Sequence, residues 1–326
     1  MSHFTVMVFG DNWEEQLAPF QENNMGDCPE EFMEFNDTED EEHEKWLTGT
    51  TEVVVLPDGR LVSKWDDMFR TKPWTSSDSH VVPEELEKRT VPFTELYPTF
   101  EQFMADYVGY SERDPKTGRY GYWHNPNSKW DWYQVGGRWT GYFKVKEGAE
   151  ATVGEPGVFG NRAREGYADQ LRKGDIDFEG MYADAMEEAA ERYDKFEEVT
   201  AGLEVPPTWA EVRGMYPDIE EARKVYRAYP WVDALQKADL MPFFGDAHEV
   251  WRVRAGGRSA YIENAKCKAL LPFAVIVDGK WYEKGEMGWW GLVIDEKLEY
   301  DWSAKFMELF ESLPDDTLIT ICDCHI

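Results

Sequence analysis

Tyr120-Gly121-Tyr122-Trp123-His124-Asn125-Pro126-Asn127-Ser128-Lys129-Trp130-Asp131-Trp132-Tyr133-Gln134-Val135-Gly136-Gly137-Arg138-Trp139-Thr140-Gly141-Tyr142-Phe143 is the stretch on which the fold turns. Residues 130–135 are aromatic and β-branched, the composition of a strand. A period of two puts Trp130, Trp132 and Gln134 on one face and Asp131, Tyr133 and Val135 on the other. Gly136 and Gly137 permit a positive-φ turn or bulge, and residues 138–145 read as the return strand. The expectation is a hairpin with aromatic side chains on both faces. Such a hairpin is either covered on both sides or offers one face to a ligand.

Three functional readings follow from that stretch. The first is an aromatic core in which Arg138 stacks on an indole for structural reasons. The second is a stacking platform for a planar ligand such as a nucleobase, with Lys129 and Arg138 meeting its phosphate. The third pairs His124 with Asp131 for acid/base work.

A second dense patch, residues 280–294, repeats the type: aromatic strand, glycine-bearing turn, aromatic strand. It holds Trp281, Trp289 and Trp290. Both patches are expected to meet in one aromatic cluster lined by Trp130, Trp132, Trp139 or Trp289.

Composition bounds the alternatives. Aromatic residues make up 15% of 326, with 15 tryptophans, which argues for a folded chain with a large core. The formal net charge of −31 repels nucleic-acid phosphate, so direct nucleic-acid binding is excluded from the expectations. An acidic protein that imitates nucleic-acid charge against a partner fits the same number. Cys28, Cys267, Cys322 and Cys324 show no framework spacing, which reads as reduced thiols in a cytoplasmic setting. No apolar run reaches transmembrane length, and no membrane partner is expected. No zinc, P-loop, dinucleotide or nucleophile-elbow motif occurs, and no metal site or cofactor is assigned. Asp323 and His325, with His3 or His124 as a third group, are the set weighed for a metal.

The ends of the chain organise the fold. Residues 3–9 and 317–326 both read as buried apolar strands, so they are expected to pair. Alternation sends Cys322 and Cys324 to one side and Asp323 and His325 to the other. Residues 51–56 and 60–65 flank Pro57-Asp58-Gly59 as a hairpin. Residues 99–107 read as a helix capped by Thr99, and 301–313 as an amphipathic helix. From 161 to 251 the pattern is helical. The fold class is therefore α+β: a mostly antiparallel sheet from the N- and C-terminal segments (1–148 and 261–326), with a central helical insertion at 149–260.

Four stretches also resemble a known family: Ser2-His3-Phe4-Thr5-Val6, Lys129-Trp130-Asp131-Trp132-Tyr133 with Gly136-Gly137-Arg138-Trp139, Met287-Gly288-Trp289-Trp290-Gly291, and Asp323-Cys324-His325-Ile326. They look like an accessory-protein family of tailed bacteriophages that carries no assigned activity. The resemblance touches both ends and two internal patches, so it covers the whole chain. It implies a host cytoplasm as the setting and carries over no catalytic residue. Such proteins often alter host metabolism or blunt host defence signalling. The expectation is a binder of a nucleotide or nucleotide-like small molecule at His124, Lys129, Trp130, Asp131, Trp132, Arg138, Trp139 and Trp289. The alternative is a hydrolase acting on a phosphorylated or nucleotide substrate at the same pocket, using His124, Asp131 or Asp323 and His325. An acidic inhibitor is the third.

Overall fold

A computed structural model describes residues 2–71, 80–158, 162–242, 247–248, 250–251, 256–288 and 291–326. The chain is α+β, with a mainly antiparallel but mixed sheet. It divides into two compact units, one of residues 1–21 and 129–326 and the other of residues 22–128.

The larger unit is built on the two terminal strands. His3–Phe9 and Leu318–His325 pair antiparallel along their full length, from His3 opposite His325 to Phe9 opposite Ile319. Both are buried at nearly every position, as strands covered on both faces are. Ala274–Val277 pairs parallel with His3–Phe9, and Lys280–Glu283 returns from it through Asp278-Gly279. Both turn residues have positive φ (49° and 70°), the conformation that a two-residue hairpin turn requires. On the other side of Leu318–His325 lie Trp132–Gly137, paired at residues 322–325, and Gln170–Arg172, paired at residues 318–320.

The aromatic hairpin expected from the sequence does not form. Trp132–Gly137 pairs with Leu318–His325 and with Glu155–Pro156, not with the residues that follow it. Gly136 and Gly137 both have positive φ and do turn the chain, but the turn leads away from the sheet. Asp169 explains why. Its buried carboxylate accepts the backbone N–H groups of Gly141, Tyr142 and Gly154. Residues 141–142 are thus held away from the return path. Phe143–Lys144 then pairs with Tyr167–Ala168 instead.

The two faces of the sheet are unlike. On one, Phe4, Val6, Val8, Ala274, Ile276, Cys322 and Cys324 meet Leu17 and Trp130, where the short helix Trp13–Leu17 packs. On the other, Met7, Phe9, Val275, Ile319 and Ile321 meet Trp302, Phe306 and Phe310 of the helix Glu299–Glu311. Each fully buried aliphatic or aromatic side chain here stabilises by about 1.5–3 kcal/mol. This second face changes character along its length. Past Met7 and Ile321 it carries Thr5, Asp323, His3 and His325.

The helical region begins later than expected, since 167–168 and 170–172 are strands. Its main element is Phe178–Thr200, capped by Asp177 accepting the Gly180 N–H. Met181 and its neighbours Phe178 and Tyr182 pack into the sheet core. Tyr193 and Phe196, farther along the same helix, pack with Val212, Trp231, Leu235 and Trp251. One helix thus serves both clusters.

The 22–128 unit has a three-stranded antiparallel sheet, with Thr50–Val55 between Leu61–Ser63 and Glu87–Pro92. Leu61–Ser63 is the return strand of the expected hairpin. Thr99 caps the helix Phe100–Phe103 as anticipated, and Phe93, Phe100, Phe103, Met104 and Tyr120 form an aromatic core. A second pairing joins Glu34–Asp37 to Gly121–His124.

Candidate functional site

The polar end of the sheet face assembles two carboxylate–imidazole pairs. His3 Nδ1 lies 2.8 Å from Asp323 Oδ1, and His325 Nδ1 lies 2.6 Å from Asp131 Oδ1. The register explains the grouping. His3 and His325 are directly opposed, which puts their side chains on the same face. Asp323 is two residues back on the same strand as His325, hence also on that face. The ring centroids of His3 and His325 are 4.9 Å apart, edge to face.

Trp132 completes the cluster. It stands opposite His325 on the other flanking strand. Its ring stacks on the His325 ring at 5.2 Å with planes 19° apart, and the His3 ring meets it edge-on at 5.3 Å. Trp132 is 43% exposed. The four side chains of the two pairs are far more enclosed, with side-chain exposures of 11% for His3, 1% for Asp323, 6% for His325 and 15% for Asp131.

Backbone geometry holds these groups in place. Asp323 Oδ2 accepts the Arg138 N–H at 2.8 Å, so the buried carboxylate is bound at both oxygens. Gly137 makes the approach possible. A Cβ at that position would lie 2.3 Å from Asp323 Cβ, and its φ of +55° suits glycine. Asp131 N–H donates to His325 O at 2.9 Å, which bends the chain just before the strand begins. Ser2 Oγ donates to Gly288 O and accepts the Gly291 N–H, both at 2.7 Å.

The chemistry of the pairs follows from this arrangement. A carboxylate on Nδ1 orients each ring and leaves Nε2 as the working nitrogen. No hydrogen bond to Nε2 of either ring occurs among the described residues. Two such rings side by side can supply one base and one acid. Among the described residues no group of three or more His, Cys, Asp or Glu side chains is arranged to hold a metal ion.

The remaining sequence-derived residues are distributed differently. Trp130 does not share a face with Trp132. It is buried at 4% exposure, donates its indole N–H to Leu17 O, and packs against Tyr133 on the opposite side of the sheet. The cause is the bend at Asp131, which breaks the alternation assumed for 130–135. Lys129 is ion-paired with Glu283 at 2.9 Å. Arg138 contributes its backbone N–H to Asp323 and has an exposed side chain. Trp139 is half-buried, and its backbone N–H is donated to Gly136 O. His124 belongs to the 22–128 unit, opposite Glu34, with its ring 5.6 Å from that of Tyr122. Trp289 lies outside the described residues.

Two groups that hold this region together carry little signal in the sequence. The sequence suggests His3 only as a third metal ligand, whereas it is the partner of Asp323. The pairing of the two terminal strands was the available signal for His3, since it sets His3 opposite His325. Nothing in the sequence marks Asp169, whose burial pushes its carboxyl up despite three N–H donors.

The thiols on the opposite face are chemically quiet. Burial first, then neighbouring acidic groups, pushes both Cys322 and Cys324 well above the ordinary thiol range. No family model, curated protein or solved structure matches the chain. Among the described residues no helix is long and apolar enough to cross a membrane.

Proposed function

We propose that the protein is a hydrolase of a nucleotide-like phosphoester and that His3 and His325 carry its chemistry. The observation behind this reading is the pair of carboxylate-backed imidazoles at 4.9 Å on one sheet face. In hydrolysis, one neutral imidazole takes a proton from water as the water oxygen attacks phosphorus. The other, protonated, gives its proton to the departing oxygen as the P–O bond breaks. Asp323 and Asp131 hold the two rings in orientation. Trp132, exposed beside them, supports a base-bearing substrate through stacking. A phage protein of this kind would remove or alter a host nucleotide signal.

The test uses the intact protein with a panel of nucleoside monophosphates, cyclic nucleotides and dinucleotides, read by phosphorus NMR. Product should form with at least one member, and His3→Ala or His325→Ala should slow it by about 10²-fold or more. Unchanged substrates across the panel would overturn the enzymatic reading.

Binding without turnover is the second reading, favoured by the near-enclosure of both rings beneath a half-exposed indole. It retains Trp132 from the expected aromatic platform, without the buried Trp130. A quench of tryptophan fluorescence that Trp132→Leu abolishes, with no product, distinguishes it from hydrolysis.

A further inference from the structure

The 22–128 unit holds a cavity of about 760 Å³ that the histidine site does not use. It opens beside the strands Thr50–Val55 and Leu61–Ser63 and the segment of Leu96, Tyr97 and Tyr107. Three aromatic side chains line it, Trp65, Tyr97 and Tyr107, with three carboxylates, Glu52, Asp66 and Asp106. Trp65 is 62% exposed and Tyr107 44%. The unit as a whole has 24 acidic residues against ten basic ones. Its field therefore draws cations toward this opening.

An ammonium of the protein itself already uses part of the lining. Lys64 Nζ sits 5.5 Å from the Trp65 ring centroid and 3.2 Å from Glu52 Oε1. Lys45 Nζ likewise stands 5.0 Å from the Tyr107 centroid. Both contacts combine a ring face with a nearby carboxylate, the arrangement that attracts alkylammonium groups. Lys64 is ion-paired with Glu52. Asp66 accepts the Met68 N–H, and neither Asp66 nor Asp106 has an ion-pair partner among the described residues. Asp106 also contributes to holding the Tyr97 hydroxyl above its ordinary range, after burial as the larger cause.

We propose that this cavity binds an alkylammonium group, with Asp66 and Asp106 as counter-ions and Trp65, Tyr97 and Tyr107 as its aromatic walls. The same chemistry is offered by a free polyamine and by a lysine side chain of a partner protein. This site is independent of the histidine pair, and its test does not read hydrolysis.

The experiment titrates the full chain with spermidine and, separately, with a short lysine-bearing peptide and its acetyl-lysine counterpart. Calorimetry and tryptophan fluorescence are the readouts. One saturable site is expected for spermidine, for the lysine peptide or for both, with the tighter of the two naming the source. Acetylation should remove peptide binding. Asp66→Asn with Asp106→Asn should weaken binding by about tenfold or more. Glu41→Gln with Glu44→Gln, on the helix Glu39–Thr48, is the control for general charge and should change it little. The proposal is overturned if neither probe saturates, or if the two double variants weaken binding equally. Circular dichroism of the Asn variants keeps a folding defect from passing as a binding defect.

Discussion

Gly137 is where the candidate site is most sensitive to a single atom. Its positive φ and the 2.3 Å approach to Asp323 leave no room for a methyl group. Gly137→Ala should cost about 2–4 kcal/mol from backbone strain and overpacking together, measured by urea unfolding. It should also displace Asp323 from His3, so activity at the site should fall with stability. A Gly137→Ala protein as stable as the parent would show that the carboxylate is not seated as described. The thiols give a second residue-scale expectation. Cys267 is exposed, whereas Cys322 and Cys324 are buried with raised pKa values. Iodoacetamide at neutral pH should modify Cys267 at least about 100-fold faster than either, with mass spectrometry locating the adducts. Fast alkylation of Cys322 or Cys324 in the native protein would contradict the sheet register.

At the scale of elements, the helix Phe178–Thr200 is tied to the small pairing of Phe143–Lys144 with Tyr167–Ala168 through one carboxylate. Asp184 Oδ2 lies 2.6 Å from Lys144 Nζ and 2.6 Å from the Tyr167 hydroxyl. The Lys144 hydrogen bond, then that of Tyr167, holds the Asp184 carboxyl below its ordinary value. A depressed carboxyl contributes stability that is present above the unfolded-state value, near 4, and is lost as pH falls through the folded-state value. Asp184→Asn should therefore reduce stability at neutral pH and flatten its loss on acidification below about pH 4. Thermal melts of the two proteins across that range decide it; parallel acid limbs would remove Asp184 from the account.

For the whole molecule, the dominant fact is a formal charge of −31. Like-charge repulsion disfavours the compact state, and salt screens it. Added sodium chloride should raise the melting temperature by a few degrees up to moderate ionic strength. A melting temperature that falls with salt would mean that surface ion pairs such as Arg119 with Asp37 and Asp40 outweigh the repulsion. The same charge limits where anionic ligands can approach. This is why the phosphoester reading rests on the local imidazoles and the ammonium reading on the acidic cavity.

Local sequence determined the two terminal strands and several of the turns and helices, though not the course of the chain after Gly137. Alternation along 318–325 separated the two cysteines from Asp323 and His325. Turn residues marked Asp278-Gly279 and the 57–59 hairpin, and apolar density at both ends marked strands buried on two faces. These features depend on neighbours within a few residues, so they are written in order along the chain. The destination of Trp132–Gly137 was decided only in three dimensions. Its partner strand is about 190 residues away, and a buried aspartate that no local pattern announces pulls the following loop aside. The bend at Asp131 likewise comes from a hydrogen bond to His325 O, which sends Trp130 into the core and leaves Trp132 beside the imidazoles. The candidate site exists because strand register makes neighbours of residues 3, 131, 132, 323 and 325, and register is a property of the folded sheet rather than of any one segment.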